Sequence, residues 1–158
     1  SDLGRSMRFT QDGGLIIVGD TYSTEIDGHS SGGYDVFVCK VGSTGVSQWQ
    51  KAIGGGFAER GYDVVQLGDG DYIVVGSTGS SDNGAPQFYG NVDGYVIKLD
   101  NSGATHWIQT YGGNYSEYFK SVLNDSGKIL VAGTTNSTTD HLSERSEYNH
   151  YDWWILEF

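Results

Sequence analysis

Proline and cysteine are almost missing from this chain, with one of each in 158 residues. A single cysteine excludes an internal disulfide, so cysteine usage gives no compartment. Positive charge is scarce as well: 9 Lys and Arg stand against 20 Asp and Glu, for a formal net charge of −11. That balance excludes the basic surface that a phosphate backbone requires and opposes docking on anionic lipid. No apolar run reaches the roughly 18 residues that span a bilayer. Neither nucleic-acid binding nor membrane insertion is therefore expected. No window keeps a 3.6-residue apolar period, which leaves no amphipathic helix to predict. The start at Ser1, without methionine, reads as a mature product or a window of a longer chain.

Glycine, tyrosine and tryptophan fill the space, at 25, 11 and 4 residues. Aromatic and β-branched residues with many glycines favour short strands and tight turns. The strands repeat. "GLIIVGDT" (14–21) matches "DYIVVGST" (71–78) and "KILVAGTT" (128–135), so Gly19, Gly76 and Gly133 recur at a spacing of 57. "YDVFVCKV" (34–41) matches "VDGYVIKL" (92–99) and "YDWWILEF" (151–158), which aligns Asp35, Asp93 and Asp152. "VSQWQKAIGG" (46–55) matches "ATHWIQTYGG" (104–113), pairing Trp49 with Trp107. A fourth segment precedes each "IVVG" strand, and its third copy needs a one-residue deletion. The units are 1–55, 56–113 and 114–158, the last without its fourth strand, in one continuous repeat domain. Four short antiparallel strands per unit, with glycine and aromatic marks at fixed offsets, predict an all-β protein of about three propeller blades.

At "YDVFVCKVGSTGVSQWQKAIGG" (34–55) and "DGYVIKLDNSGATHWIQTYGG" (93–113) the chain resembles a known family. Each stretch is followed by an E-x-x-x-x-V segment, and the first of these by "DGDYIVVGST". The resemblance is to the bacterial seven-bladed β-propeller repeats of large secreted proteins, and it covers nearly the whole chain. It implies an extracellular or cell-surface location and says little about activity, since propellers host unrelated functions. The chain departs from the family in its two and three-quarter repeats and in its long, irregular loops. Three blades cannot close a ring. The expectation is a piece of a longer propeller, or a protomer completed by other copies in an oligomer or filament. Trp153, Trp154 and Phe158 mark the edge strand that a partner strand would cover.

The remaining candidates divide between scaffold and surface. Cys39 aligns with Ile97 and Leu156 on an alternating strand, which predicts a core position rather than a nucleophile. Trp49 and Trp107 fit packing between blades, with a ligand platform as the rival reading. Asp35, Asp93 and Asp152 open the third strands, where a carboxylate bonding local N–H groups is expected. One carboxylate per repeat makes a poor acid–base pair. Calcium is conceivable for some of these acids, but no segment carries a calcium-loop motif and no cofactor is expected.

Loops joining second and third strands vary in length, and in a repeat protein such loops gather on one face. Glu59, Arg60, Phe88, Tyr89, Tyr115, Glu117, Tyr118, His141, Tyr148 and Tyr151 would share it as a ligand or partner face. Asn114, Asn124 and Asn136 head Asn-x-Ser/Thr acceptor sequences for glycosylation, with Asn136 the best placed. The expected function is a non-catalytic structural or interaction module of an extracellular assembly. Its partners would be other copies of the chain or the rest of a longer one. The alternative is a carbohydrate-binding propeller lectin that uses loop aromatics and acids on glycans.

Overall fold

A computed structural model of the chain describes residues 1–29, 32–82, 84, 87–138 and 152–158. Among them every regular element is a strand: β1 (Asp2–Phe9), β2 (Leu15–Thr21), β3 (Asp35–Val41), β4 (Ser47–Ile53), β5 (Glu59–Gln66), β6 (Tyr72–Thr78), β7 (Asp93–Leu99), β8 (Thr105–Tyr111), β9 (Glu117–Asp125), β10 (Lys128–Thr135) and β11 (Asp152–Glu157). They form three antiparallel sheets in chain order, β1-β2-β3-β4, β5-β6-β7-β8 and β9-β10-β11. The protein is all-β and blade-like, and its sheets do not close on themselves.

Turn chemistry follows the glycines. The β3–β4 and β7–β8 hairpins turn on Gly45 (φ 81°) and Gly103 (φ 86°), a region that side chains resist. The β9–β10 turn is shorter. Ser126 (φ 54°) and Gly127 (φ 97°) both lie at positive φ, as a two-residue hairpin loop requires. That tighter turn accounts for the deletion in the third repeat.

The repeated Gly19, Gly76 and Gly133 answer a different constraint. Each sits opposite a bulge in the first strand of its sheet, where Arg5, Tyr62 and Lys120 are the extra residues. The bulge pushes the carbonyl oxygens of Leu3, Arg60 and Tyr118 into the space a Cβ would need.

Strand alternation sends one set of side chains to each side of a sheet. Ile16, Val18, Val36 and Val38 of the first sheet meet Val64, Tyr72, Val74, Tyr95, Ile97 and Leu99 of the second. The second sheet's other side supplies Ile73, Val75 and Val96 to a second core with Phe119, Val122, Ile129, Val131 and Trp154. Each core is thus a junction between sheets. Trp49 closes the outer rim of the first junction. It stands edge-on to Tyr72 at 6.0 Å, lies over Gly103, and donates from Nε1 to the Asn101 carbonyl at 3.1 Å. Its repeat mate Trp107 is 37% exposed, because the three-stranded third sheet offers no matching hairpin.

Candidate functional site

The segments between sheets, 54–58 and 112–116, run beside the loops that follow β6 and β10. Phe57 N–H donates to Ser80 Oγ and Tyr115 N–H to Ser137 Oγ, both at 2.8 Å. Glu59 N–H donates to the Tyr34 carbonyl at 2.6 Å, and Glu117 N–H to that of Val92 at 2.8 Å. These bonds hold the predicted loop face together, but only part of it meets solvent. Arg60 and Tyr115 are exposed, while Phe88, Tyr89 and Tyr118 are half-buried. Phe57, the repeat mate of Tyr115, is exposed too; the repeat alignment already contained that signal. His141, Tyr148 and Tyr151 lie outside the described residues.

Glu59 and Glu117, placed on that face from the sequence, are completely buried instead. Each reaches back across a junction toward the aspartate that opens the preceding third strand. A Cβ on Gly54 would meet Asp35 Oδ1 and Glu59 Oε2, and one on Gly112 would meet Asp93 Oδ1 and Glu117 Oε2. So the carboxylates do come in pairs, one Asp and one Glu from adjacent repeats, which the one-per-repeat count could not anticipate. Both oxygens of Glu59, Glu117 and Asp93 accept hydrogen bonds inside the fold. Thr78 Oγ1 donates to Glu59 Oε1 at 2.7 Å and Thr135 Oγ1 to Glu117 Oε1 at 2.8 Å. Gly55 and Gly113 N–H donate to the second oxygens at 2.6 and 2.9 Å. Asp93 accepts from Tyr89 and Gly90 N–H at 2.6 and 3.2 Å, the local capping expected of it. Asp35 Oδ2 lies 2.8 Å from His29 Nδ1, an ion pair whenever that ring is doubly protonated. The glycine pairs after β4 and β8 follow from this arrangement. The first glycine leaves room for two carboxylates, and the second donates its N–H to one of them.

Burial and the neighbouring Glu117 charge push the Asp93 carboxyl up to about 6, against Tyr89 and Gly90. Glu59 is also raised, by burial first and by Asp35 last. A carboxyl raised on folding holds its proton more tightly in the native state. Its stabilising contribution is complete below the unfolded value of 3.8 for Asp93 and lost as pH rises through about 6. Asp12 and Asp100 have the opposite sign. The Thr10 hydroxyl and Lys40 lower the first, the Ser102 hydroxyl the second, and that stability disappears only in stronger acid. Thermal stability should therefore rise on acidification from neutral to about pH 5, by about 1 kcal/mol, before it falls. Glu117→Gln should flatten the rise in a pH series of melting curves. An unchanged slope would show that the pair does not set it.

The first strands of the three sheets meet edge to edge. Ser6 Oγ and the Arg8 guanidinium donate to Asp63 at 2.6 and 2.8 Å, and Val122 N–H reaches the same carboxylate at 3.1 Å. The bulge residues gather beside them, with Arg5 and Lys120 both over the Tyr62 ring, at 5.0 and 3.4 Å from its centre.

Two sheet sides remain on the outside. On the third sheet, Leu123 (62% exposed), Trp153 (74%) and Ile155 (56%) point away from the second sheet, beside exposed Ala132. Trp154 turns the other way. It is buried against Phe119 at 5.1 Å, so only one of the two edge tryptophans faces out. Phe158 remains partly exposed, edge-on to Tyr111 at 5.4 Å. On the first sheet, Leu15, Ile17, Phe37 and Val41 are partly exposed and Met7 is 62% exposed. Cys39 lies on this same side and is buried, with Sγ 3.6 Å from Ser47 Oγ. Its repeat mates Ile97 and Leu156 pack against a preceding sheet, so the cysteine occupies a junction position. A hollow of about 280 Å³ opens here, lined by Gly4, Arg5, Ser6, Met7 and Ile17.

No known family model matches this chain, and no curated protein does.

Among the described residues, no group of three or more His, Cys, Asp or Glu side chains is placed to hold a metal. All three candidate glycosylation asparagines use their side chains within the fold. Asn136 Oδ1 accepts from Ser116 N–H at 2.7 Å, and Asn124 Oδ1 from Gly127 N–H at 3.1 Å. Asn114 accepts from Thr138 N–H at 3.2 Å and is the only fully exposed one.

Proposed function

We propose that this chain is a non-catalytic interaction module of an extracellular assembly, built from propeller-type blades. The observation that carries the reading is the position of its exposed apolar residues. Met7 on the first sheet and Leu123, Trp153 and Ile155 on the third are exposed on the outer sides, and the repeat mates of Met7, Trp153 and Ile155 are buried at the junctions. A contiguous apolar side of a sheet is a contact surface in waiting. The recurring polar residues, by contrast, are engaged in holding one repeat to the next. An extracellular setting is supported by the acidic composition and by the resemblance to secreted repeat proteins.

Hydroxyl-radical labelling of the assembled protein at the cell surface, compared with the purified chain, tests this. Assembly should protect Trp153, Ile155, Leu123 and Met7. The opposite result is an assembled protein whose end sides label as in the isolated chain. If such a protein also bound an arrayed glycan, and lost it on Tyr115→Ala or Phe57→Ala, a lectin would take the module's place.

A further inference from the structure

We infer that the module assembles head to tail: the outer side of the third sheet docks on the outer side of a second copy's first sheet, with Trp153 seated over Gly4. This rests on the assembly reading above and adds its partner and geometry.

The two internal junctions show what a third must satisfy. Val36, Gly94 and Trp153 occupy one repeat position, directly after the aspartate that opens the third strand. Gly4, Gly61 and Phe119 occupy another, each paired with the repeated glycine of its sheet. At each junction these two positions face each other. In the first, Gly61 lies against Val18 and Val36, and a Cβ on it would come within 2.5 Å of Val18 Cγ2 and 2.9 Å of Val36 Cγ1. In the second, Phe119 covers Gly94, and a Cβ there would come within 2.6 Å of the ring. One partner is bulky and the other is glycine, whichever side each occupies. The outer sides hold the remaining pair. Trp153 is the bulky member, and Gly4 is the glycine, with nothing within 4 Å of where its Cβ would stand. The hollow at Gly4, walled by Met7 and Ile17, receives the indole. An aromatic anchor in an apolar pocket is the usual centre of a protein interface.

The polar rim continues as well. Asp2 holds the repeat position of Glu59 and Glu117, and Thr21 Oγ1 donates to it at 2.5 Å as Thr78 and Thr135 do to theirs. Docking brings the second copy's Asp2 to Asp152, as Glu117 stands to Asp93. Lys120 then approaches the second copy's Arg5, whose charge is offset by Asp20 at 2.5 Å. Each docking uses two different surfaces and leaves the opposite pair open, so association continues past two chains until a ring closes or a filament grows.

Light scattering and sedimentation on the full chain test this. The wild-type mass should rise with concentration beyond two chains. Gly4→Trp fills the hollow and Trp153→Gly removes the anchor, so each variant alone should hold the mass of one chain. Mixed together, the two variants again set a tryptophan against a glycine at every contact, so the mixture should recover association beyond two chains. If Gly4→Trp lowers the thermal midpoint, Met7→Arg on the same side replaces it. A folded wild type that keeps single-chain mass up to its solubility limit overturns the inference. So does a wild type that stops at a symmetric dimer, or association indifferent to both substitutions. The module reading fails separately, if the end sides stay unprotected in the native assembly; protection there with a single-chain wild type points to a different protein partner.

Discussion

Gly76→Ala should lower stability by about 3 kcal/mol, while Gly68→Ala should be nearly neutral. Both glycines belong to the second repeat and both have ordinary backbone angles, so conformational freedom does not separate them. Space does. A Cβ at Gly76 would overlap the carbonyl oxygen of Arg60, where the β5 bulge turns main chain toward β6. Nothing lies within 4 Å of the same atom at Gly68. The obstacle at Gly76 is backbone, which cannot move aside as a side-chain tip can. Relief would require straightening the bulge, and the bulge places Tyr62 between Arg5 and Lys120 and keeps Asp63 in register for Ser6 and Val122. Calorimetric melting of the two variants measures the difference, expected as a shift of roughly 10 °C for a domain of this size. Equal midpoints would show that the recurrence of glycine at 19, 76 and 133 has another cause.

The strands and their order were legible in the sequence, because they depend on alternation and on turn residues within one repeat. What could not be read repeat by repeat are the contacts between repeats. Asp93 and Glu117 are 24 positions apart and belong to different units, so a count of one aspartate per repeat hid their pairing. Glu59 and Glu117 looked like surface acids because charge usually faces water, yet each is enclosed by a threonine, two glycines and an aspartate. Some of this was recoverable by comparing the repeats with one another as if they were relatives. Lys98 pairs with Asp71 at 3.0 Å, and at the matching positions of the third repeat Glu157 pairs with Lys128 at 2.9 Å. The charges have exchanged places, which is evidence of contact inside a single sequence. The glycine and bulky residues of the junctions exchange in the same way. Trp154 parts from Trp153 because adjacent strand residues point to opposite sides, and only the register decides which is enclosed.

That exchange gives the second large effect, a coupling of about 2 kcal/mol or more between Gly94 and Phe119. Gly94→Val alone drives its side chain into the Phe119 ring and should destabilise by about 3 kcal/mol. Phe119→Gly alone removes a completely buried ring that packs on Trp154 and Tyr111, and should lose about 4 kcal/mol. The double variant rebuilds at the second junction the Val and Gly arrangement of the first. Valine then enters space that the ring has left, so the overlap vanishes and part of the cavity is filled. The double variant should accordingly be no less stable than Phe119→Gly, although simple addition would place it well below both single variants. Denaturant midpoints of the four proteins give the coupling directly. If the two losses add, the positions do not compensate one another across the junction. Trp153 and Gly4 would then carry no more meaning than any exposed tryptophan and any open glycine. A strong coupling instead makes size exchange a rule of this fold, and that rule lets a sheet side exposed in one copy be matched to its counterpart on the next.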